Sequence, residues 1–426
     1  MKTLYNKLWT VLVLLVLSSQ VCSAPFYSFD PRSLAMGGTG VASGDLTNAS
    51  FHNPALLAAA QDSDDFSFTL SGGARAGDPN DLVDKFDTIS TSIDSLNSLI
   101  TQYESSLSVF NNSKTTDNFT TLQTDANAVI AQAKQVINND LPSINGGVLE
   151  FLIGGGTNIA IPSKKFGIAV FAEGKIGGGI VPNFSSQDQT SITNDIITPL
   201  ESLDFNATNT SIAQPTYTSE IRVIASAISE VGLTLARKFD FANGIAIGIS
   251  PKIIKVTTFD GFVNVNNADN IDDKIDDFKK SHTSANVDLG LLKIFDSGWR
   301  FGLTIKNLIP EEFDTTRGRQ IKFSPQARAG IAYNGSWAKF AVDMDLTENN
   351  PLGSESGTEF IAIGTELDLK LLQLRLGYRD NLSEKSDADE GIFSVGVGIY
   401  LGFHLDAAVA GNSDDIAGSV QVGLTF

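Results

Sequence analysis

The chain has 426 residues, a formal net charge of −19 and 42% hydrophobic residues. So acidic a surface repels nucleic acid, and we expect no direct binding of DNA or RNA. Beyond the N-terminal segment, no stretch approaches the roughly twenty apolar residues that a membrane helix needs. A membrane protein of this composition would have to be a β-barrel, because barrel strands alternate polar and apolar residues.

Residues 1–23 have the features of a signal peptide. Lys2 and Lys7 precede an apolar run from Trp9 to Leu17, which is too short to cross a bilayer, and small residues follow it. We predict cleavage after Ser23. Cleavage removes the only cysteine of the chain, so the exported protein must be stabilised by packing or by a closed hydrogen-bond network rather than by a disulfide.

A glycine motif follows, reading RSLAMGGTGVA over residues 32–42, and residues 51–57 read FHNPALL. The glycines resemble a dinucleotide-binding fingerprint, but no strand precedes them and no βαβ unit surrounds them, so we reject that interpretation. Glycine permits positive φ and close backbone approach, and a proline restrains the preceding residue to extended geometry. The candidate motif residues are Gly37, Gly38, Gly40, Asn53, Pro54 and Ala55.

This motif resembles the N-terminal region of the FadL-like outer-membrane proteins, and its wording is most similar to the TraF-like conjugal (plasmid) transfer family. The resemblance is specific over residues 32–58 only. It implies a barrel of fourteen strands with an N-terminal plug, which we place at residues 24–64. A periplasmic extension docked outside the barrel is the alternative. The name TraF also belongs to an unrelated thioredoxin-like factor, which a mature chain without cysteine cannot be.

Fourteen strand candidates follow within residues 65–426, several of them with clear period-two alternation. Leu372, Leu374 and Leu376, for example, alternate with Gln373 and Arg375. The candidates are 66–74, 147–161, 165–176, 217–239, 244–258, 284–295, 299–308, 321–334, 337–346, 358–369, 372–380, 391–401, 403–410 and 416–426.

The connections between these strands alternate between short turns and long loops. Alternation of side chains alone does not separate a soluble sandwich from a membrane barrel. Loop lengths do, because outer-membrane barrels have tight periplasmic turns and longer extracellular loops, whereas Greek-key sandwiches do not. The sequence therefore predicts an all-β, antiparallel, up-and-down barrel of about fourteen strands in the bacterial outer membrane.

The first long loop contains a predicted helical insertion at residues 80–139. Two apolar stripes recur at three- and four-residue steps and predict an extracellular helical hairpin joined near residues 111–116. The hairpin is either a rigid cap over the mouth or a cover that contacts a partner or substrate. We also predict a short helix over residues 269–280. The two stripes comprise Leu82, Phe86, Ile89, Ile93, Leu96, Leu99 and Tyr103, and Phe119, Leu122, Ala126, Val129, Ala133 and Val136.

Charged residues on the polar faces of the strands are expected to meet inside the barrel. Arginines there would pair with Glu366, Asp368 and Asp406 in a network that props the lumen open or seals it. His404 would lie beside Asp406 in a structural hydrogen bond. The predicted lumen residues are Arg300, Arg328, Glu366, Arg375, Arg379, His404 and Asp406.

Phe426 ends an alternating segment in which Val420, Val422 and Leu424 share one face. We predict that it is the signal that the outer-membrane assembly machinery reads on the last strand. The three histidines are far apart, and no H-E-x-x-H or G-x-S-x-G motif is present, so we expect neither an enzyme nor a metal or other cofactor.

Two functions remain open from the sequence. One is a plugged channel or passive transporter for hydrophobic or amphipathic small molecules, as the FadL resemblance implies. The other is a non-transporting component of a conjugation or secretion apparatus. The expected partners are outer-membrane lipid, the assembly machinery, and either a hydrophobic ligand or conjugation proteins.

Overall fold

The structure, a computed structural model, describes residues 29–59, 65–162, 166–206, 212, 218–239, 244–264, 276–349, 357–383 and 391–426. Fourteen antiparallel strands within these ranges close into one barrel, which confirms the predicted fold class. The signal peptide prediction lies outside the described residues. So does most of the helix predicted over 269–280; its described end has one helical turn at 276–278 and is a strand from Lys279.

The barrel strands follow one another around the wall, and the first strand pairs with the last to close it. They are β1 (Ser67–Gly77), β2 (Leu149–Ile161), β3 (Phe166–Asn183), β4 (Glu220–Phe239), β5 (Ile245–Asn264), β6 (Lys279–Ile294), β7 (Trp299–Lys306), β10 (Gln326–Asn334), β11 (Ala338–Asp345), β12 (Phe360–Asp368), β13 (Leu372–Asn381), β14 (Ile392–Tyr400), β15 (His404–Gly411) and β16 (Asp415–Thr425). A separate two-stranded hairpin contains β8 (Glu311–Asp314) and β9 (Gln320–Phe323).

Burial in this barrel is inverted relative to a soluble protein. Phe393 is 68% exposed and Val420 is 64% exposed, whereas their polar neighbours Ser394 and Ser419 face inward and are buried. A sandwich in water would bury the apolar face instead. The outer surface is therefore suited to hydrocarbon and the inner surface to polar contacts, as in outer-membrane barrels.

Exposed aromatic side chains mark the end of the barrel that carries the short turns. Tryptophan and other aromatic residues favour the membrane–water interface, where an apolar ring can lie beside polar headgroups. This belt therefore indicates where the membrane ends on the short-turn side. It consists of Phe166, Phe295, Trp299, Trp337, Phe403 and Phe426.

The first long loop forms the predicted helical hairpin, with helices α3 (Leu82–Asn112) and α4 (Thr116–Gln135); two short helices, α1 (Pro31–Ala35) and α2 (Ala49–His52), precede it. Thr115 begins α4 by accepting a hydrogen bond from the Asn118 amide. Within the described residues, no helix is long and apolar enough to cross a membrane.

The hairpin does not stand alone, because the second long loop packs against it through α5 (Ser186–Ile192), α6 (Thr198–Glu201) and the turn between them. Two residues of the predicted stripe, Phe86 and Ile93, are 39% and 38% exposed, so their predicted burial is wrong. The shared core consists of Tyr103, Phe110, Leu122, Ala126, Val129, Ile130, Ala133, Ile137, Ile192, Ile196, Ile197 and Leu200.

Asp188 of α5 fixes this second loop to the start of β4. Its carboxylate accepts hydrogen bonds from the backbone amides of Thr218 and Ser219, at 2.5 and 2.8 Å, and from their hydroxyls. Burial raises the pKa of Asp188, but the hydrogen bonds from Ser219 and Thr218 outweigh it and hold the pKa below its ordinary value. The carboxylate therefore stays charged at neutral pH.

The connection between β7 and β10 differs from the prediction. The sequence predicted a loop at 309–320 and one strand over 321–334, but residues 311–323 form the β8–β9 hairpin and the barrel strand begins at Gln326. Pro325 separates the two, because a proline cannot donate to a strand ladder. Phe313, Ile321 and Phe323 of this hairpin pack against Ile254 and Val256 of β5.

The membrane orientation of the wall makes a depth-dependent prediction. Val420 lies at the centre of β16 on the outer face, and Leu424 lies on the same face near the short-turn end. We expect Val420→Arg to destabilise the barrel in lipid vesicles by about 2–4 kcal/mol and Leu424→Arg by about 0–1 kcal/mol. Equilibrium urea unfolding measures both. Equal small effects would contradict a membrane-facing wall.

Candidate functional site: the plugged lumen

Residues 29–59 lie inside the barrel, and nearly all of them are buried. The segment begins with helix α1, whose N-terminus is capped by Asp30. The Asp30 carboxylate accepts from the backbone amides of Arg32 and Ser33, each at 3.1 Å, and from the Asn48 side chain at 2.6 Å. Pro31 occupies the first helical turn, where its missing N–H costs nothing.

The glycine motif lets the plug backbone run against the wall. Gly37 and Gly38 have φ values of 74° and 101°, and a Cβ on Gly37 would lie 2.5 Å from the Tyr378 carbonyl oxygen. The amides of Gly40 and Val41 donate to the carboxylate of Asp343 on β11, at 2.7 and 2.9 Å. The motif therefore serves wall contact rather than nucleotide binding.

Asn53 attaches the other end of the plug to β6. Its side-chain amide donates to the carbonyl oxygens of Val41 and Leu291, at 2.8 and 3.0 Å, and its side-chain oxygen accepts from the Ala55 amide. Asn53 is extended, as the following Pro54 was expected to make it. The Asn-Pro-Ala motif thus ties two parts of the plug to each other and to the wall.

Glu366 is the centre of a buried ionic cluster that joins plug and wall. One of its oxygens lies 2.7 Å from Nε of Arg32 in the plug and 2.8 Å from Nε of Arg375. Its other oxygen accepts from Lys339, and Arg375 also pairs with Asp406 at 2.6 Å. Such buried charges are stable only when they are paired in this way.

A second cluster surrounds Lys252 on the opposite side of the lumen. Its ammonium lies 2.8 Å from Glu230 and 3.0 Å from Asp288, all three on the inner wall. Nearby, the hydroxyl of Ser50 in the plug donates to Asn158 at 2.8 Å and accepts from Thr234 at 2.9 Å. Polar bonds therefore hold the plug on both sides.

The structure brings some predicted lumen charges together and separates others. Glu366, Arg375 and Asp406 meet as described. Arg328 pairs instead with Asp345, at 3.1 Å between Nη2 and Oδ2, and donates to the Gly38 carbonyl of the plug. Arg379 is buried with its guanidinium over the Phe360 ring.

Two of the predicted lumen residues, Arg300 and His404, do not join the ion pairs described above. They line a cavity at the short-turn end of the barrel. Among the described residues Arg300 forms no salt bridge, contrary to the expected pairing with Glu366, Asp368 or Asp406. The ring of His404 lies against Tyr400, 4.0 Å between centroids, instead of bonding to Asp406. Phe426 stacks on Phe66 at 5.2 Å and pairs with its backbone, next to the β1–β16 seam.

Sequence reasoning missed the residues by which the plug and wall recognise each other. Neither the pairing of Arg32 with Glu366 nor the contact of Asp343 with the plug follows from the sequence pattern. The same is true of the wall ion pairs of Asp345 and Lys252. Their position on the polar face of alternating strands was the available signal. That pattern gives the face of each strand, but it does not show which plug atom lies opposite.

These features define a plugged outer-membrane β-barrel. The toluene transporter TbuX of Ralstonia pickettii has a similar structure, with a TM-score of 0.50, 11% identity, and coverage of 94% of this chain and 98% of TbuX. The deltaS2 mutant of the TodX monoaromatic hydrocarbon channel gives 0.51 and 10%, with 93% and 97% covered. A Pseudomonas aeruginosa FadL homologue gives 0.49 and 9%, with 96% and 99% covered.

The family model described as "F plasmid transfer operon, TraF, protein" matches residues 50–345, which is more than half of the chain. The protein therefore belongs to this family, as the N-terminal motif indicated. A comparison with curated proteins finds no significant match.

The Glu366 cluster makes a prediction about closure. In Arg32→Ala, Glu366 keeps Arg375 and Lys339, so the wall stays balanced while the plug loses its ionic contact. We expect higher ion conductance in planar bilayers with unchanged heat-modifiable migration, because an unpaired plug detaches more often.

Arg75→Ala is the matched control. It removes an arginine that pairs with Asp415 and Glu150 within the wall. Conductance in this variant should equal that of the wild type. An equal rise in both variants would contradict a specific role of Arg32 in holding the plug.

Proposed function

We propose that this protein is a passive outer-membrane channel that admits hydrophobic or amphipathic small molecules when residues 29–59 move. It has no energy source of its own. The fold it shares with a toluene transporter and a monoaromatic hydrocarbon channel supports this class of cargo. The observation that carries the proposal is an apolar cluster at the loop end of the barrel, beyond the plug.

The apolar cluster is formed by the β8–β9 hairpin and the inner wall. Ile254 and Val256 of β5 have the same parity as Lys252, so they face inward with it, and both are fully buried. Phe313 and Phe323 pack edge to face over them, 5.1 Å between centroids. The β8–β9 hairpin covers these side chains, so we propose that an apolar solute arriving from the loop side meets them when the hairpin shifts.

The plug contacts suit a gate rather than a permanent core. They include hydrogen bonds and ion pairs, each of which adds only about 0.5–3 kcal/mol net because water can replace it. They also include apolar packing of Leu56 and Leu57 against small alanines of the wall. Meanwhile the ladder between β1 and β2 is continuous from Ser67↔Ala160 to Gly77↔Glu150. We therefore propose that a path along the lumen opens by motion of the plug and not by separation of these strands.

Uptake of a monoaromatic and of a fatty acid tests the proposal. Cells that make the protein should accumulate radiolabelled toluene or oleate faster than cells with an empty vector. Phe313→Ser should reduce the uptake severalfold, because it makes the apolar cluster polar. Phe205→Ser is the control, since Phe205 packs with Phe110 and Phe119 in the outer loops.

Uptake equal to the empty vector for both compounds would reject transport of these classes. If deletion of the gene then lowered plasmid transfer between cells, the role as a component of a conjugation apparatus would replace the proposal. Equal losses in Phe313→Ser and Phe205→Ser would instead assign the effect to general misfolding.

A further inference from the structure

A cavity of about 350 Å³ opens at the short-turn end of the barrel, between the plug and the wall. Its volume lies at the lower end of the range of small-molecule sites. On the plug side it is lined by Arg32 and residues 43–47, among others. On the wall side the lining residues include Arg300, Lys339 and Tyr400. It is separate from the apolar cluster, which lies at the loop end.

The cavity is positively charged in a strongly acidic protein. Four cationic side chains line it, and three carboxylates, those of Asp45, Glu366 and Asp368, oppose them. The formal balance is therefore positive, whereas the whole chain carries −19. A local field of this sign attracts small anions. The cations are Arg32, Arg300, Lys339 and Lys370.

Two cations of the cavity, Arg300 and the exposed Lys370, have no carboxylate partner among the described residues, and of the two Arg300 is the more buried. Arg32 and Lys339 already share Glu366. Among the described residues Arg300 forms no salt bridge, and its Nε and Nη2 lie 3.2 and 3.1 Å from the side-chain amide of Asn334, which is a neutral acceptor when its oxygen is turned toward Arg300. A guanidinium in this state can still take a carboxylate through its remaining N–H groups.

Asp45, the plug carboxylate that lines the cavity, forms no salt bridge with Arg300; its Oδ2 lies 4.0 Å from Nε of Arg32. Asp45 already accepts from the amide and the hydroxyl of Thr47, at 2.9 and 2.5 Å. On the wall side, the buried Nδ1 of His404 has no hydrogen-bond partner among the described residues. Two polar groups thus border the cavity without a strong acceptor or donor of their own.

The cavity also has an apolar side. Leu46, Leu56 and Ala59 of the plug line it together with the charged residues. We propose that it binds a small organic carboxylate, with the carboxylate on Arg300 and the hydrocarbon part against Leu46 and Leu56. The charge-assisted hydrogen bonds to Arg300 make the site selective for anions. The apolar contact makes an organic carboxylate bind more tightly than an inorganic anion, which has no hydrocarbon part.

This site does not depend on transport, because the cavity is open from the short-turn side while the plug is in place. The proposed site can be tested by isothermal titration calorimetry of the purified protein in detergent with benzoate. Benzyl alcohol serves as the uncharged analogue. We expect benzoate to bind and benzyl alcohol to bind at least about tenfold more weakly, since an ionic hydrogen bond contributes about 1.5–3 kcal/mol.

Arg300→Gln should weaken benzoate binding by about tenfold or more and leave benzyl alcohol unchanged. Arg237→Gln, which removes the same charge from an exposed position outside the cavity, should bind benzoate like the wild type. Arg300→Lys keeps the charge without the bidentate geometry, so its affinity should fall between those of Arg300→Gln and the wild type.

Equal binding of benzoate and benzyl alcohol would overturn the proposal, as would wild-type benzoate affinity in Arg300→Gln. If Arg300→Gln loses heat-modifiable migration, the variant has not folded, and benzoate binding by Arg300→Lys becomes the test. A weaker but still anion-selective site supports the assignment, and unchanged affinity rejects it.

Discussion

The rest of the structure depends on closure of the β-sheet. No water is present in hydrocarbon to bond an open strand edge, so every backbone group of the wall must pair within it. The first strand pairs with the last from Ser67↔Thr425 to Gly77↔Asp415. The backbones of Phe66 and Phe426 are hydrogen-bonded just beyond this ladder. Closure then forces alternate side chains into a lumen, and this is why the polar half of each strand needs partners.

The plug supplies many of those partners. The charge of buried Glu366 is neutralised by neighbouring cations, and one of these cations, Arg32, belongs to the plug. Asp343 is bonded by two plug amides, and Arg328 by a plug carbonyl. Charges that look like the lining of an open pore are thus, in the closed barrel, the binding surface for residues 29–59. The apolar cluster at the loop end is built by a different segment, the β8–β9 hairpin.

The strands, the alternating loop lengths and the helical hairpin could be predicted because each depends on local periodicity. The ends of β3 and β5 could not, since they extend beyond the predicted limits of 176 and 258 to Asn183 and Asn264, where apolar alternation weakens. The β8–β9 hairpin was merged with a barrel strand because Ile321 and Phe323 continue the same alternation. Ion-pair partners were only partly predicted: periodicity gives the face of a residue, whereas strand stagger and the plug path decide its neighbour.

We propose that the lumen opens only when the plug moves. Ser50 in the plug and Thr234 on β4 have hydroxyl oxygens 2.9 Å apart, so cysteines at both positions can form a disulfide after a small adjustment. The most direct measurement is uptake of toluene by cells that make Ser50→Cys/Thr234→Cys. Uptake should stop under oxidation and return on reduction, with each single variant unaffected. Equal uptake by the oxidised and reduced double variant would contradict the account.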